Sequence, residues 1–134
     1  MKSVNFNIPF LLLLIASISG HKNNLFAADI AIVEVRRNIP LGDSDPVYRD
    51  FYINAGSEAG YKKNMTIKAV RKVTIKDPKG SSALGEISVL VGQLKIISAQ
   101  NGISVAREVK LIPRDDEPML EQNGLMIGDL IERP

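Results

Sequence analysis

The chain of 134 residues has no cysteine, no tryptophan and one histidine. Without cysteine no disulfide can form and no lipid can be attached to an N-terminal thiol, so stability must come from packing or assembly. Tight zinc sites lack their imidazole and thiolate ligands. Nucleophilic triads lack the base that is half-neutral near pH 7. Aromatic residues are only 5% of the chain, which leaves little ring surface of the kind that lines a sugar cleft. No long stretch repeats apolar residues with a 3.6-residue period, so no confident helix is expected.

Residues 1–28 differ from the rest in composition. Lys2 supplies a positive start, Ile8 to Ile18 is apolar apart from Ser17, and Leu25-Phe26-Ala27-Ala28 ends on small residues. This is the layout of a secretory signal peptide, cut near Ala28. The apolar run is shorter than the roughly 20 residues that cross a bilayer, so the expectation is export to the periplasm with no membrane span after cleavage. Lys2, Lys22 and His21 leave with the signal. Of 17 basic and 15 acidic residues, fifteen of each sign stay behind. The sequence pI near 8.9 therefore gives no ground to expect a nucleic-acid partner.

Residues 29–134 show alternation with a period of two, broken by Gly, Pro, Asn and Asp. Strands are predicted over Ile30 to Arg37 and Val47 to Ala55, the second with Phe51 and Ile53 on one face. A long strand follows with Met65, Ile67, Ala69, Val73 and Ile75 on an apolar parity, where Arg71 is the exception. In the next strand Ile87, Val89 and Val91 are odd-numbered but Leu94 and Ile96 are even, with Gly92 between them, a phase change that predicts a bulge or sharp bend. Asn101-Gly102 predicts a hairpin turn, after which Ile103, Val105, Val109 and Leu111 are expected inward. Pro113 to Asn123 reads as a loop with room for one helical turn, and Leu125, Ile127 and Ile131 as a closing strand. Six or seven such strands bury their apolar faces economically as one small all-β domain, a β-barrel or alternatively a β-sandwich.

Three constellations could carry chemistry. Gly56-Ser57-Glu58-Ala59-Gly60-Tyr61-Lys62-Lys63-Asn64 is rich in glycine and lysine, but a phosphate loop needs Gly-Lys-Ser/Thr entering a helix. The segment reads as a chain reversal with Gly56 and Gly60 at positive φ. Asp43, Asp45 and Asp50, or Asp115, Asp116 and Glu117, could offer oxygen ligands to Ca²⁺, yet their spacing matches no EF-hand loop. Two carboxylates suffice for glycoside hydrolysis, but nothing singles out a pair. No catalytic, cofactor or metal residue is assigned, and a non-enzymatic protein is expected.

The run Phe51 to Met65, then Asp77-Pro78-Lys79-Gly80 with Leu84-Gly85-Glu86, then Val91 to Ile96, and finally Ile127-Gly128-Asp129-Leu130-Ile131, resembles the C-terminal domain of the flagellar assembly protein T family. The resemblance covers nearly all of residues 29–134 and implies a small β-barrel module of periplasmic machinery. It implies that Gly56 and Gly60 shape the reversal, Gly80 and Gly85 the hairpin connection, and Gly128-Asp129 the entry to the closing strand. Asn64 stands where the family places a third glycine, and Asn tolerates the left-handed conformation. The expected partners are envelope-machine proteins, among them the flagellar basal body, or further copies of the chain. Lys62, Lys63, Asp115, Asp116 and Glu117 are the candidate contact residues, being charged loop positions. The alternative is a stand-alone module binding peptidoglycan or another envelope polymer in a groove lined by Tyr48, Tyr52 or Tyr61.

Overall fold

Strands with one apolar and one polar parity pair so that the apolar parity faces inward, and this chain follows that rule over most of its length. The computed structural model describes residues 29–80 and 82–133; the expected signal peptide and its cut lie outside them. The described residues form β1 (Ile32–Arg37), β2 (Arg49–Ile53), β3 (Thr66–Lys76), β4 (Ala83–Gln100), β5 (Ile103–Leu111) and β6 (Leu130–Ile131). All pair antiparallel in one sheet of order β1-β2-β5-β4-β3-β6. The protein is thus a small all-β domain, and its one helical element among the described residues is a single 3₁₀ turn, Ser57–Ala59. No helical turn forms in the Pro113–Asn123 loop.

The two outer strands of the sheet meet without forming a ladder. Ala31 bridges Leu130, and Ile32 N–H donates to Asp129 O at 2.9 Å, Gly128 N–H to Ile32 O at 2.9 Å, and Ile131 N–H to Ile30 O at 2.8 Å. Beneath this junction lies one apolar core of Ile32, Phe51, Ile53, Ile67, Ala69, Val89, Val91, Leu94, Ile96, Ala106 and Ile131, completed from loops by Ala55, Tyr61, Leu120 and Leu125. The phase change around Gly92 is real. Ala69 pairs with Gly92 but Val70 with Leu90, so Val91 is the extra residue of a bulge, and the odd-numbered Val89 and Val91 join the even-numbered Leu94 and Ile96 in one core.

Three sequence expectations need correction. In β5 the inward residues are Ser104 and Ala106, while Ile103, Val109 and Leu111 are exposed and Val105 is half-buried. The reason lies across the ladder: Ile53 faces Ser104 and Phe51 faces Ala106, and the two large, fully buried side chains leave room only for small ones opposite. Ser104 repays its burial by donating its hydroxyl to Ala55 O at 2.7 Å. Ile127 does not belong to the closing strand's core; it is exposed, and β6 is only Leu130–Ile131. Ile75, expected to pack, is also exposed, because β3 and β4 run beyond the core.

That overrun is the most distinctive feature of the fold. β6 pairs with β3 only at Ala69 and Val70, and β5 pairs with β4 only from Gly92 onward. Residues 71–76 and 83–89 therefore have only each other as strand partners among the described residues, with Val73 opposite Ile87 and Arg71 opposite Val89. They form a two-stranded arm roughly 20 Å long at about 3.3 Å per residue. A lone two-stranded ribbon is at best marginally stable in water, so its base must be braced.

Candidate functional site

The brace is a buried ion pair. Arg71, the exception on an apolar parity, turns its guanidinium to Asp129, with Nε to Oδ1 at 2.6 Å and Nη2 to Oδ2 at 2.9 Å. The same guanidinium donates to Gln122 O at 2.6 Å and Gly124 O at 2.7 Å. Asp129 is 1% exposed, and its Oδ2 also accepts from Met126 N–H at 2.9 Å. The arm's first residue is thereby tied to the loop that precedes β6, with both Asp129 carboxylate oxygens and four of the five guanidinium N–H groups engaged. Gly128 reaches φ 95° just before Asp129, so the expected Gly-Asp entry to β6 is present, and Asp129 proves to be an anchor as well as a turn residue.

A second anchor organises the opposite end. The Glu58 carboxylate accepts from Gly56 N–H at 2.9 Å and from Gly102 N–H at 2.6 Å, joining the 3₁₀ turn to the β4–β5 hairpin. The Gly102 N–H, and after it the Gly56 N–H, hold this carboxyl below its ordinary pKa. Gly60 takes φ 93° and Asn64 takes φ 71°, as expected of the reversal. Gly56 does not: its φ is −141°. Glycine is needed there because a Cβ would fall 1.7 Å from Gln100 O. Gly92 is similarly crowded: a Cβ there would fall 2.8 Å from Lys110 O. Gly80 closes the arm's tip, its N–H donating to Asp77 O at 3.3 Å. Gly85 lies within β4 opposite Ile75 and shapes no turn, so its expected part in the hairpin connection is corrected.

The candidate contact residues separate into two places. Lys62 and Lys63 are exposed beside Asn64, whose N–H donates to Ile96 O at 2.7 Å. Asp115 and Asp116 are exposed and Glu117 half-buried in the loop that Arg114 pins to β4 by donating to Leu90 O. Leu90 and Ile96 are six positions apart on β4, about 20 Å, so the basic and acidic sets form no common site. None of these five residues makes an ion pair among those found in the described residues.

The tyrosines also divide. Tyr61 is fully buried and donates its hydroxyl to Glu132 O at 3.1 Å, so it cannot line a groove; burial pushes its phenol pKa up. Tyr48 and Tyr52 remain on the outer face, each beneath an arginine. Arg107 stands 4.5 Å from the Tyr48 ring centre while its Nε donates to Asp50 at 2.7 Å, and Arg36 stands 5.1 Å from Tyr52. Asp45, one of the calcium candidates, instead accepts from Leu41 and Gly42 N–H within its own loop. Among the described residues no three His, Cys, Asp or Glu side chains come together as a metal site, and no helix is long and apolar enough to cross a membrane.

What the chain presents outward is therefore the arm. One face carries Val73, Ile75 and Ile87; the other carries Lys72, Thr74, Glu86 and Ser88, with Lys72 3.5 Å from Glu86. Loop residues Met119 to Gln122 and Met126 flank its base across a cleft of about 510 Å³. Leu84 near the tip is 68% exposed. Comparison with protein-family models, curated proteins and solved structures returned no match to this chain.

Proposed function

We propose that the protein is a non-enzymatic structural and assembly component of the bacterial periplasm, acting by scaffolding within a trans-envelope machine, the flagellar motor being the first candidate. The observation that carries this reading is the arm: a braced ribbon with unshared strand edges and an apolar face, built at the cost of burying an ion pair at its base. Strand edges of this kind dock other chains by backbone hydrogen bonding. The signal-like residues 1–28 support export, and the resemblance of the glycine and Gly-Asp pattern to the flagellar assembly protein T family supports the choice of machine.

A second reading, binding of an envelope polymer, draws support from Tyr48 and Tyr52 on one outer face beside Arg107 and Arg36. Affinity recovery of the tagged protein from crosslinked envelopes of its own cells, followed by mass spectrometry, separates the two. Stoichiometric basal-body or other machine proteins are the expected result. Peptidoglycan fragments with no protein partner would overturn the scaffold reading and establish the second.

A further inference from the structure

The two free edges of the arm differ in chemistry. Edges that must stay solitary are guarded by charge, lysine above all, and the outer stretch of β3 conforms with Lys72 and Lys76. The corresponding stretch of β4, Ala83-Leu84-Gly85-Glu86-Ile87-Ser88-Val89, has one charge, no lysine and no proline. Its single acid, Glu86, already lies 3.5 Å from Lys72. On that side the only backbone neighbours among the described residues come at the base, where Ile112 N–H donates to Val91 O and Arg114 to Leu90 O. Seven unguarded residues lead outward from there.

We propose that this β4 edge pairs with the same edge of a second copy, antiparallel about a two-fold axis at Ile87, making a four-stranded sheet of order β3-β4-β4-β3. The proposal rests on the scaffold reading and names its first partner. Charge selects both the edge and the occupant. A two-fold axis at Ile87 sets Glu86 opposite Ser88 and Gly85 opposite Val89, so no like charges meet. On β3 the axis level with Ile87 falls at Val73, and what sets that edge apart is the pair of lysines, Lys72 and Lys76, that β4 lacks. The pairing also lays the Val73, Ile75 and Ile87 stripes of the two copies side by side, in a sheet large enough to be stable where two strands are not.

The overlap places one further match. Beyond Ala83 the tip of each arm, with Lys76 and Lys79, comes level with the start of the partner's loop after β5, which Arg114 anchors at Leu90. That loop carries Asp115, Asp116 and Glu117. Opposite charges thus meet at both ends of the shared sheet, and the acidic loop acquires a counterpart that the monomer does not supply.

Because the chain has no cysteine, one introduced cysteine reports one contact. The full chain is expressed in bacterial cells and the purified protein studied as Ile87→Cys and Val73→Cys. Facing residues of an antiparallel pair have Cα atoms about 4.5–5.5 Å apart, within disulfide reach, so Ile87→Cys would meet its own image. Val73→Cys lies on the same face but three strand spacings from its image, roughly 14 Å. The expected result is dimer formation under mild oxidation on the order of tenfold or more faster for Ile87→Cys at equal concentration. The unmodified protein sediments at twice the chain mass. Ile87→Lys shifts it to monomer with its thermal transition kept, and Lys79→Glu weakens the dimer until combined with Asp116→Lys. Equal crosslinking rates, or a monomer at every concentration, would overturn the proposal. A monomer that still recovers envelope proteins would refute the two-fold pairing alone, whereas a crosslinking dimer that recovers none would uphold the pairing and refute the envelope machine.

Discussion

Replacing Asp129 with alanine removes both carboxylate oxygens from the Arg71 guanidinium and leaves Met126 N–H without its acceptor. The Arg71 side chain, 15% exposed in the intact pair, then keeps only the Gln122 and Gly124 carbonyls as partners. Removing one partner of a buried pair costs about 3–5 kcal/mol, because the charge left behind is neither solvated nor paired. The two retained carbonyls argue for the lower end, about 3 kcal/mol. For a domain of this size each kcal/mol shifts the thermal midpoint by roughly 4–8 °C, so a fall of about 12–24 °C is predicted. Thermal and urea unfolding followed by circular dichroism measures it. Glu34→Ala, which breaks the exposed Arg36–Glu34 pair, is the control and should leave the midpoint unchanged. A fall below about 5 °C for Asp129→Ala, less than roughly 1 kcal/mol on the same scale, would refute the claim that this pair braces the arm.

Gly56→Ala should yield little folded protein, because the new methyl group would need the β4–β5 hairpin backbone to retreat from a 1.7 Å contact; a soluble variant with a normal melting curve would contradict the packing described. Asn64→Gly should match or exceed the parent in stability at φ 71°, while Asn64→Ala should lose about 1 kcal/mol; equal urea midpoints for the two variants would count against the left-handed turn. Glu58 has a folded pKa held below its ordinary value of 4.5, so its contribution is fully present above that pH and is lost as pH falls through the folded value. The gap in melting temperature between the parent and Glu58→Gln should therefore close on acidification from pH 7 to 3, and a gap independent of pH would remove the carboxylate from the account.

Local signals carried much of the fold. The parity switch across Gly92, the Asn101-Gly102 hairpin, the left-handed Asn64 and the Gly128-Asp129 entry are each set by backbone sterics or by neighbours within a few positions, and each is found where the residues imply it. What escaped depends on distant residues. The inward face of β5 is chosen by the bulk of Phe51 and Ile53 across the ladder, which alternation within β5 cannot express. Gly56 looks like a positive-φ glycine until Gln100 is folded against it. Arg71 was visible as a charge on an apolar parity, the one sequence mark of the brace, but its partner lies 58 positions away. Glu58 carried no mark, since its carboxylate accepts only from backbone N–H groups, that of Gly56 two residues before it and that of Gly102 in another loop. The arm itself was hidden because Val73, Ile75 and Ile87 alternate as core residues do, and only the short reach of β5 and β6 leaves Ile75 and Ile87 uncovered while Val73 still packs against the core.

The most direct test of the scaffold account is excision of the arm. A variant in which residues 73–87 are replaced by a two-residue turn keeps Arg71, Asp129 and the whole buried core except for strand partners beyond Val89. Crosslinked-envelope recovery is then compared between this variant and the parent, with circular dichroism confirming that both are folded. The account predicts a folded variant that loses its envelope partners. A folded variant that recovers the same partners in the same amounts would contradict it, and would move the functional surface from the arm to the core's own loops.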